Sequence, residues 1–361
     1  MRLVRVELRR LWMRRVTWGG LLLALVVAGL AVVTQVGAAQ PPSAQEIAQA
    51  EQFYADQVEW WQENGAQETA SCREAQAAEP GADYGCDRLE PRLEQFLPSS
   101  STFVSHETSG SSATGGLTGT ETAAAAVSAE VAAVQESLWS GWSSLSAAAR
   151  SAAPAFLMLA FVVGVSFVTA EQRTGALGLW LTFEPRRSRV YGSKAAAAAL
   201  GTAPLVLGGW LATVGGLYAL HAAAGTLGTV SGADWAEIAA FSGRLLLAGA
   251  LCAAAGVALG VLLRHAASAI GGVALLLWAS AGFAFTLGAA QRWLPVLNLD
   301  AWLRGGAIYQ YPARAADPSG EASVPWLAGV VDGVHGGLYW LAVVAVLTLV
   351  AGAVFRRRDL D

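Results

Sequence analysis

Few residues in this chain are of types that do chemistry, and fewer stand together. The four histidines, His106, His221, His265 and His335, are scattered singly, and no H-E-x-x-H pair exists to hold a helical zinc site. His221 and His335 read as residues of a membrane–water interface rather than as ligands, and no metal site is expected. Gly192-Ser193-Lys194 has the residue types of a phosphate loop in the wrong order, and no G-x-x-x-x-G-K-[ST] sequence occurs in the 361 residues. No nucleotide-hydrolysing unit, cofactor site or nucleic-acid partner is therefore expected of this chain. With no clustered acid, base or nucleophile, it does not read as an enzyme. Of the three cysteines, Cys72 and Cys86 can close a loop of about 15 residues, worth roughly 3 kcal/mol as a disulfide. The alternative is a pair of free thiols. Cys252 falls inside an apolar run and reads as a small buried side chain.

The most ordered polar segment is Glu171–Lys194, EQRTGALGLWLTFEPRRSRVYGSK. Thr174, Leu177, Trp180 and Leu181 fall on one helical face. Pro185 disfavours a helical residue before it, so the helix is predicted to end near Glu184. About 14 residues at 1.5 Å each give a helix of roughly 20 Å. A basic cluster, including Arg189, then returns the chain toward Lys194. This pattern reads as a helix lying across the inner ends of a helix bundle, and the alternative is an ordinary positively charged inner loop.

The elements that must position this segment follow from composition. Hydrophobic residues make up 54% of the chain and charged residues 14%, against roughly 25% charged in soluble domains. The charges cluster and leave long stretches empty. A bilayer core about 30 Å thick needs about 20 apolar helical residues. The stretches predict an all-α integral membrane protein with six crossings: residues 17–37, 151–170, three within 195–289, and 336–355. The three central crossings lie near 196–220, 245–263 and 267–289. Residues 1–16 form a basic amphipathic helix at the membrane surface, and 356–361 a short tail. In the fourth crossing Gly249, Ala253, Gly256 and Gly260 make a small-residue stripe that suits close helix packing, within or between subunits. Ionisable residues are almost absent from the crossings, which argues against coupling to protons or sodium.

Arginine placement sets the orientation, since cytoplasmic flanks are enriched in basic residues. With both termini inside the cytoplasmic membrane, the inner segments hold 15 of the 23 basic residues and five of the 27 acidic ones. The outer segments then hold eight basic and 22 acidic residues. Residues 38–150 become a large, mainly helical extracytoplasmic insertion. Pro41–Gln67 reads as helix, 98–120 as a Ser/Thr/Gly-rich connection, and 121–149 as an outward extension of the second crossing. Residues 290–335 form a second outer segment with Trp293, Trp302, Tyr309, Tyr311 and Trp326. It reads either as an interfacial loop anchored by amphipathic rings, which composition favours, or as a short re-entrant helix.

The segment at 171–194 resembles the cytoplasmic loop of ATP-binding-cassette permeases of the type-two exporter family. The resemblance is carried by Glu171, Gly175, Leu177, Leu181, Pro185, Ser188, Arg189, Gly192 and Lys194, with Glu7, Leu8, Arg10 and Arg14 similar to that family's leading helix. Ala176 and Glu184 depart from the usual pattern. The large first outer segment occurs in only some branches, and the sequence looks actinobacterial. The resemblance implies a permease subunit that encloses a path with a second copy or a homologue, among membrane lipids. It also implies coupling to separate cytoplasmic ATPase subunits that bind ATP and Mg. The coupling residues would be Glu171, Arg173, Gly175, Leu177, Trp180, Leu181, Pro185, Arg189 and Lys194. A reading from a different class is a membrane sensor or envelope scaffold whose outer domain binds a ligand or partner.

Overall fold

A lipid interior offers no partner to a backbone N–H or C=O, so each apolar run closes its hydrogen bonds within itself as a helix. The computed structural model describes residues 2–78, 85–86, 89–96, 147–176, 178, 182, 186–312 and 326–357. Helix α1 (Arg2–Trp12) turns at Met13 and Arg14 into α2 (Arg15–Val33). A short α3 (Val36–Ala39) leads to α4 (Ala44–Ala78), then α5 (Leu93–Phe96). Next come α6 (Ala147–Arg173), α7 (Arg187–Gly201), α8 (Ala203–Ala224), α9 (Gly232–Leu263) and α10 (Ala266–Gly282). A 3-10 stretch (Ala284–Trp293), α11 (Pro295–Arg304), strands β1 (Gly306–Pro312) and β2 (Trp326–Asp332), and α12 (Gly333–Arg357) complete the order.

The all-α membrane architecture is as expected, and five stretches are long and apolar enough to cross a membrane. They are Arg15–Val33, Ala149–Arg173, Arg187–Ala224, Gly232–Leu263 and Gly333–Arg357. The run expected at 267–289 is instead the 17-residue α10 and the 3-10 stretch after it, where Gly288 leaves helical geometry at φ 55°. The run expected near 196–220 starts earlier, at Arg187. It is built from α7 and α8, which meet at Thr202 just before Pro204. Proline lacks the N–H that would continue the ladder, so a fresh helix starts there.

The core is the seam between α6 and α9. A methyl on Gly164 would fall inside the van der Waals radius of the Ala253 carbonyl, and one on Gly256 would meet the Phe161 carbonyl. A methyl on Gly260 would press on the Val165 carbonyl, and one on Gly249 on Val206 of α8. Three of the four small residues of the α9 stripe, Ala253, Gly256 and Gly260, thus lie where backbones touch, and Gly249 makes room for a side chain. Close approach of this kind is how helices gain packing without a hydrophobic drive between them. Around the seam pack Phe156, Phe167, Leu205, Trp210 and Leu245, all fully buried. The Trp210 indole donates to Ser242 Oγ at 2.8 Å.

Outside the bundle, α4 opens on a capping box in which Ser43 and Glu46 satisfy one another. The Ser43 hydroxyl, and then its backbone N–H, hold the Glu46 carboxyl below its ordinary pKa. The helix expected over Pro41–Gln67 runs on to Ala78. The Phe53 and Tyr54 rings pack on Phe96 of α5 at 5.6 and 5.8 Å. Cys72 and Cys86 are joined in a disulfide. The expected connection at 98–120 and most of the extension at 121–149 lie outside the described residues. So do residues 313–325 of the second outer segment and the tail from residue 358.

That second segment holds a short helix and a strand pair. α11 packs onto α9 and α12, and an antiparallel hairpin, with Gly306 opposite Asp332, packs on α11, α12 and the 3-10 stretch. The β-branched and aromatic Ile308, Tyr309, Tyr311, Val330 and Val331 are residue types that suit a pleated pair. Hydrogen bonds tie the segment down: Trp302 Nε1 to the Arg244 carbonyl, Arg244 to the Leu303 carbonyl, and Trp340 Nε1 to the Pro295 carbonyl.

Gly256→Leu is expected to cost about 1–3 kcal/mol or more, because the new side chain meets backbone that cannot yield. Gly215→Leu, where nothing lies within 4 Å, is expected to leave stability unchanged. Thermal unfolding in detergent separates the two. Cys72 and Cys86 are expected to resist maleimide labelling of the folded chain until a reductant is added, as mass spectrometry would show.

Candidate functional site at the basic end of the helix bundle

At the end of the bundle that bears both termini, four charged side chains converge. Glu7 comes from the second turn of α1, Arg14 from the α1–α2 elbow, Glu171 from the last turn of α6, and Lys194 from α7. Lys194 Nζ lies 2.9 Å from Glu7 Oε2 and also pairs with Glu171 Oε2. Arg14 donates to Glu171 Oε1 at 2.7 Å. Glu7, Lys194 and Glu171 are only 1%, 2% and 5% exposed. Both cations also lie over the fully buried Phe167 ring, Lys194 at 4.8 Å and Arg14 at 5.0 Å from its centroid. Arg10 approaches Glu7 at 3.9 Å from the more exposed side.

Local sequence explains the placement. α6 persists to Arg173, so Glu171 stays helical, and the chain then turns through Gly175 at φ 68°. A side chain there would be strained, and glycine is not. α7 begins at Arg187, which puts Lys194 two turns inside a helix packed against α1. The backbone of α1 comes close because Gly201 receives Leu11 and Leu8 where a methyl would not fit. The Thr17 hydroxyl donates to the Leu11 carbonyl at 2.6 Å and closes the elbow.

The residues read from the sequence as one coupling set therefore divide. Glu171 and Lys194 are buried and paired with each other, Glu171 also with Arg14 and Lys194 also with Glu7. Arg173, Gly175 and Arg189 are exposed. Leu177, Trp180, Leu181 and Pro185 lie outside the described residues, so the amphipathic face they would form is not placed; Ala176, Gly178 and Thr182 are helical. Glu7, Arg14 and Phe167 were absent from the expected site. One signal for Glu7 was on view: it is the lone acid among six arginines in the first eighteen residues. Among the described residues at this end, every exposed charged side chain is basic, because both acids are buried. No three His, Cys, Asp or Glu side chains converge as metal ligands would, among the described residues.

The ion cluster at this end of the apolar bundle is a junction that joins α1, the elbow, α6 and α7. The model of the ABC-2 family transporter proteins matches residues 1–360. The chain belongs to that family. It is thus a permease component of an ABC transporter and a multi-pass membrane protein, from a family that works with cytoplasmic ATPase subunits. No curated protein and no solved structure matches the chain. In the permease the junction joins the two ends of the 171–194 segment to one another and to the leading helix.

Removing one member of a buried ion cluster leaves the others unpaired, at about 3–5 kcal/mol. Lys194→Met is expected to destabilise the permease by that order, since Glu7 and Glu171 lose their shared cation. Adding Glu7→Gln to Lys194→Met is expected to recover part of the loss, because Glu171 retains Arg14. Denaturation of the purified variants measures both.

Proposed function

We propose that the chain is the membrane subunit of an ATP-driven exporter, working as a dimer with a second copy or a homologue. Its 171–194 segment receives the stroke of a separate ATPase, which binds the ATP and Mg. Both termini and this segment lie on the cytoplasmic side of the cell membrane, as the arginine bias requires. The observation that carries the reading is the buried Glu171–Lys194 pair, which fastens both ends of the segment to the bundle.

A push on a tethered loop is lost in bending. A push on this segment enters α6 through Glu171 and α7 through Lys194, and Glu7 takes α1 along. α6 is also locked to α9 by the glycine seam, so the four helices move as one body. Such a body can rock against its counterpart between inward-open and outward-open forms. Docking rests on apolar contacts from Leu177, Trp180 and Leu181, which precede Pro185 in the sequence, and on the exposed Arg173, two residues before the turn at Gly175, and Arg189. Glu171 and Lys194 serve as transmitting groups behind that surface.

Co-expression with the ABC ATPase encoded nearby tests this reading. Leu177→Asp with Trp180→Asp is expected to abolish co-purification and transport, and Arg173→Glu with Arg189→Glu to weaken co-purification severalfold. Full binding and transport by both pairs would sink the docking model.

A further inference from the structure

The leading helix has a second face that the junction does not use. Glu7 and Leu11 point into the bundle and are fully buried. On the helix of 3.6 residues per turn, Arg5 and Arg9 fall on the opposite side of α1 from Glu7. Both are exposed, and Val6 and Met13 beside them are 46% and 76% exposed. At the elbow the rings of Trp12 and Trp18 meet edge to face at 5.6 Å, and Trp18 Nε1 donates to the Trp12 carbonyl at 2.9 Å. Trp18 is half exposed at the first turn of α2, the position of an aromatic belt at headgroup depth.

We propose that this face of α1 binds the headgroups of anionic phospholipids. Three observations select that occupant. The tryptophan pair at the elbow is of the kind that prefers headgroup depth, and beside it the apolar Val6 and Met13 and the basic Arg5 and Arg9 are all exposed. The charge is one-sided, since the acid of this helix, Glu7, is buried on the far face and neutralised by Lys194. Among the described residues, the surrounding surface at this end also exposes only basic charge, which suits an anionic surface. Phosphate oxygens accept arginine hydrogen bonds in paired geometry, which zwitterionic headgroups offset with their own cation. Because α1 carries Glu7 on one side and the lipid on the other, bound lipid steadies α1 against Lys194. The inference does not depend on the ATPase docking proposed above.

The test uses the full chain in detergent, carrying an environment-sensitive fluorophore on Met13→Cys in a Cys252→Ala background. It is titrated with short-chain phosphatidylglycerol and, separately, with short-chain phosphatidylcholine. Phosphatidylglycerol is expected to bind saturably and more tightly, with the preference falling as salt is raised. At about fivefold per arginine near an anionic surface, Arg5→Gln with Arg9→Gln is expected to weaken binding by more than tenfold. Arg356→Gln with Arg357→Gln, at the same end, serves as the control and is expected to leave it unchanged. Circular dichroism confirms that each variant is folded, and the single substitutions give intermediate losses. Equal binding of the two lipids overturns the proposal, as does undiminished phosphatidylglycerol binding by the double variant. Loss of ATPase co-purification with lipid binding intact would assign this face to the ATPase, and also overturns it.

Discussion

Two carboxylates and two cations are held away from water at one end of the bundle, and the arrangement of the other helices follows from the need to keep them together. Any of these ions left alone in an apolar setting would cost several kcal/mol, and mutual pairing offsets that penalty. Glu7, Arg14, Glu171 and Lys194 arrive from α1, the elbow, α6 and α7, so the cluster is complete only when all four are in place. Its contribution is to specificity more than to net stability, since an apolar replacement of equal shape would remove the desolvation cost as well. Phe167 completes the setting by presenting its ring to both cations at a point where no further acid is available.

Away from that junction the helices differ in how much of each is buried. α6 carries Glu171 at its end and the glycine seam with α9 in its middle, so the charges and the closest packing share one rigid helix. The peripheral helices are different. Leu22, Val26 and Leu30 on α2, Leu275 and Trp278 on α10, and Leu338 and Leu349 on α12 remain exposed. In a lipid setting such faces cost nothing, because acyl chains are as apolar as leucine. The far end is held by other means: Trp302 Nε1 donates to the Arg244 carbonyl, and Gly336 lets α12 approach the Asn298 carbonyl of α11 where a methyl would not fit.

The apolar runs, the small-residue stripe on α9 and the resemblance at 171–194 could all be read along the chain because each is a local pattern. Local reading failed where a charge was taken as the end of a helix. Lys194 marked the edge of a crossing on composition, yet α7 passes through it, since a neutralised ion does not stop a helix. Glu171 was taken for an outward charge for the same reason. The hairpin at 306–312 and 326–332 was missed because aromatic and glycine content at a membrane surface suits a loop as well as a strand pair. Only packing on α11 and α12 selects the strands.

The sequence by itself determined the class of protein and the broad placing of its apolar helices. These depend on composition over windows of about 20 residues, which is the scale of the bilayer. What only the tertiary structure decided is the part each charge plays. Arg14 and Glu171 are 157 residues apart, and Glu7 and Lys194 187 apart. Over such separations no local pattern records a partner, and whether a charged side chain is a free handle or a buried fastening depends on which helix folds against it.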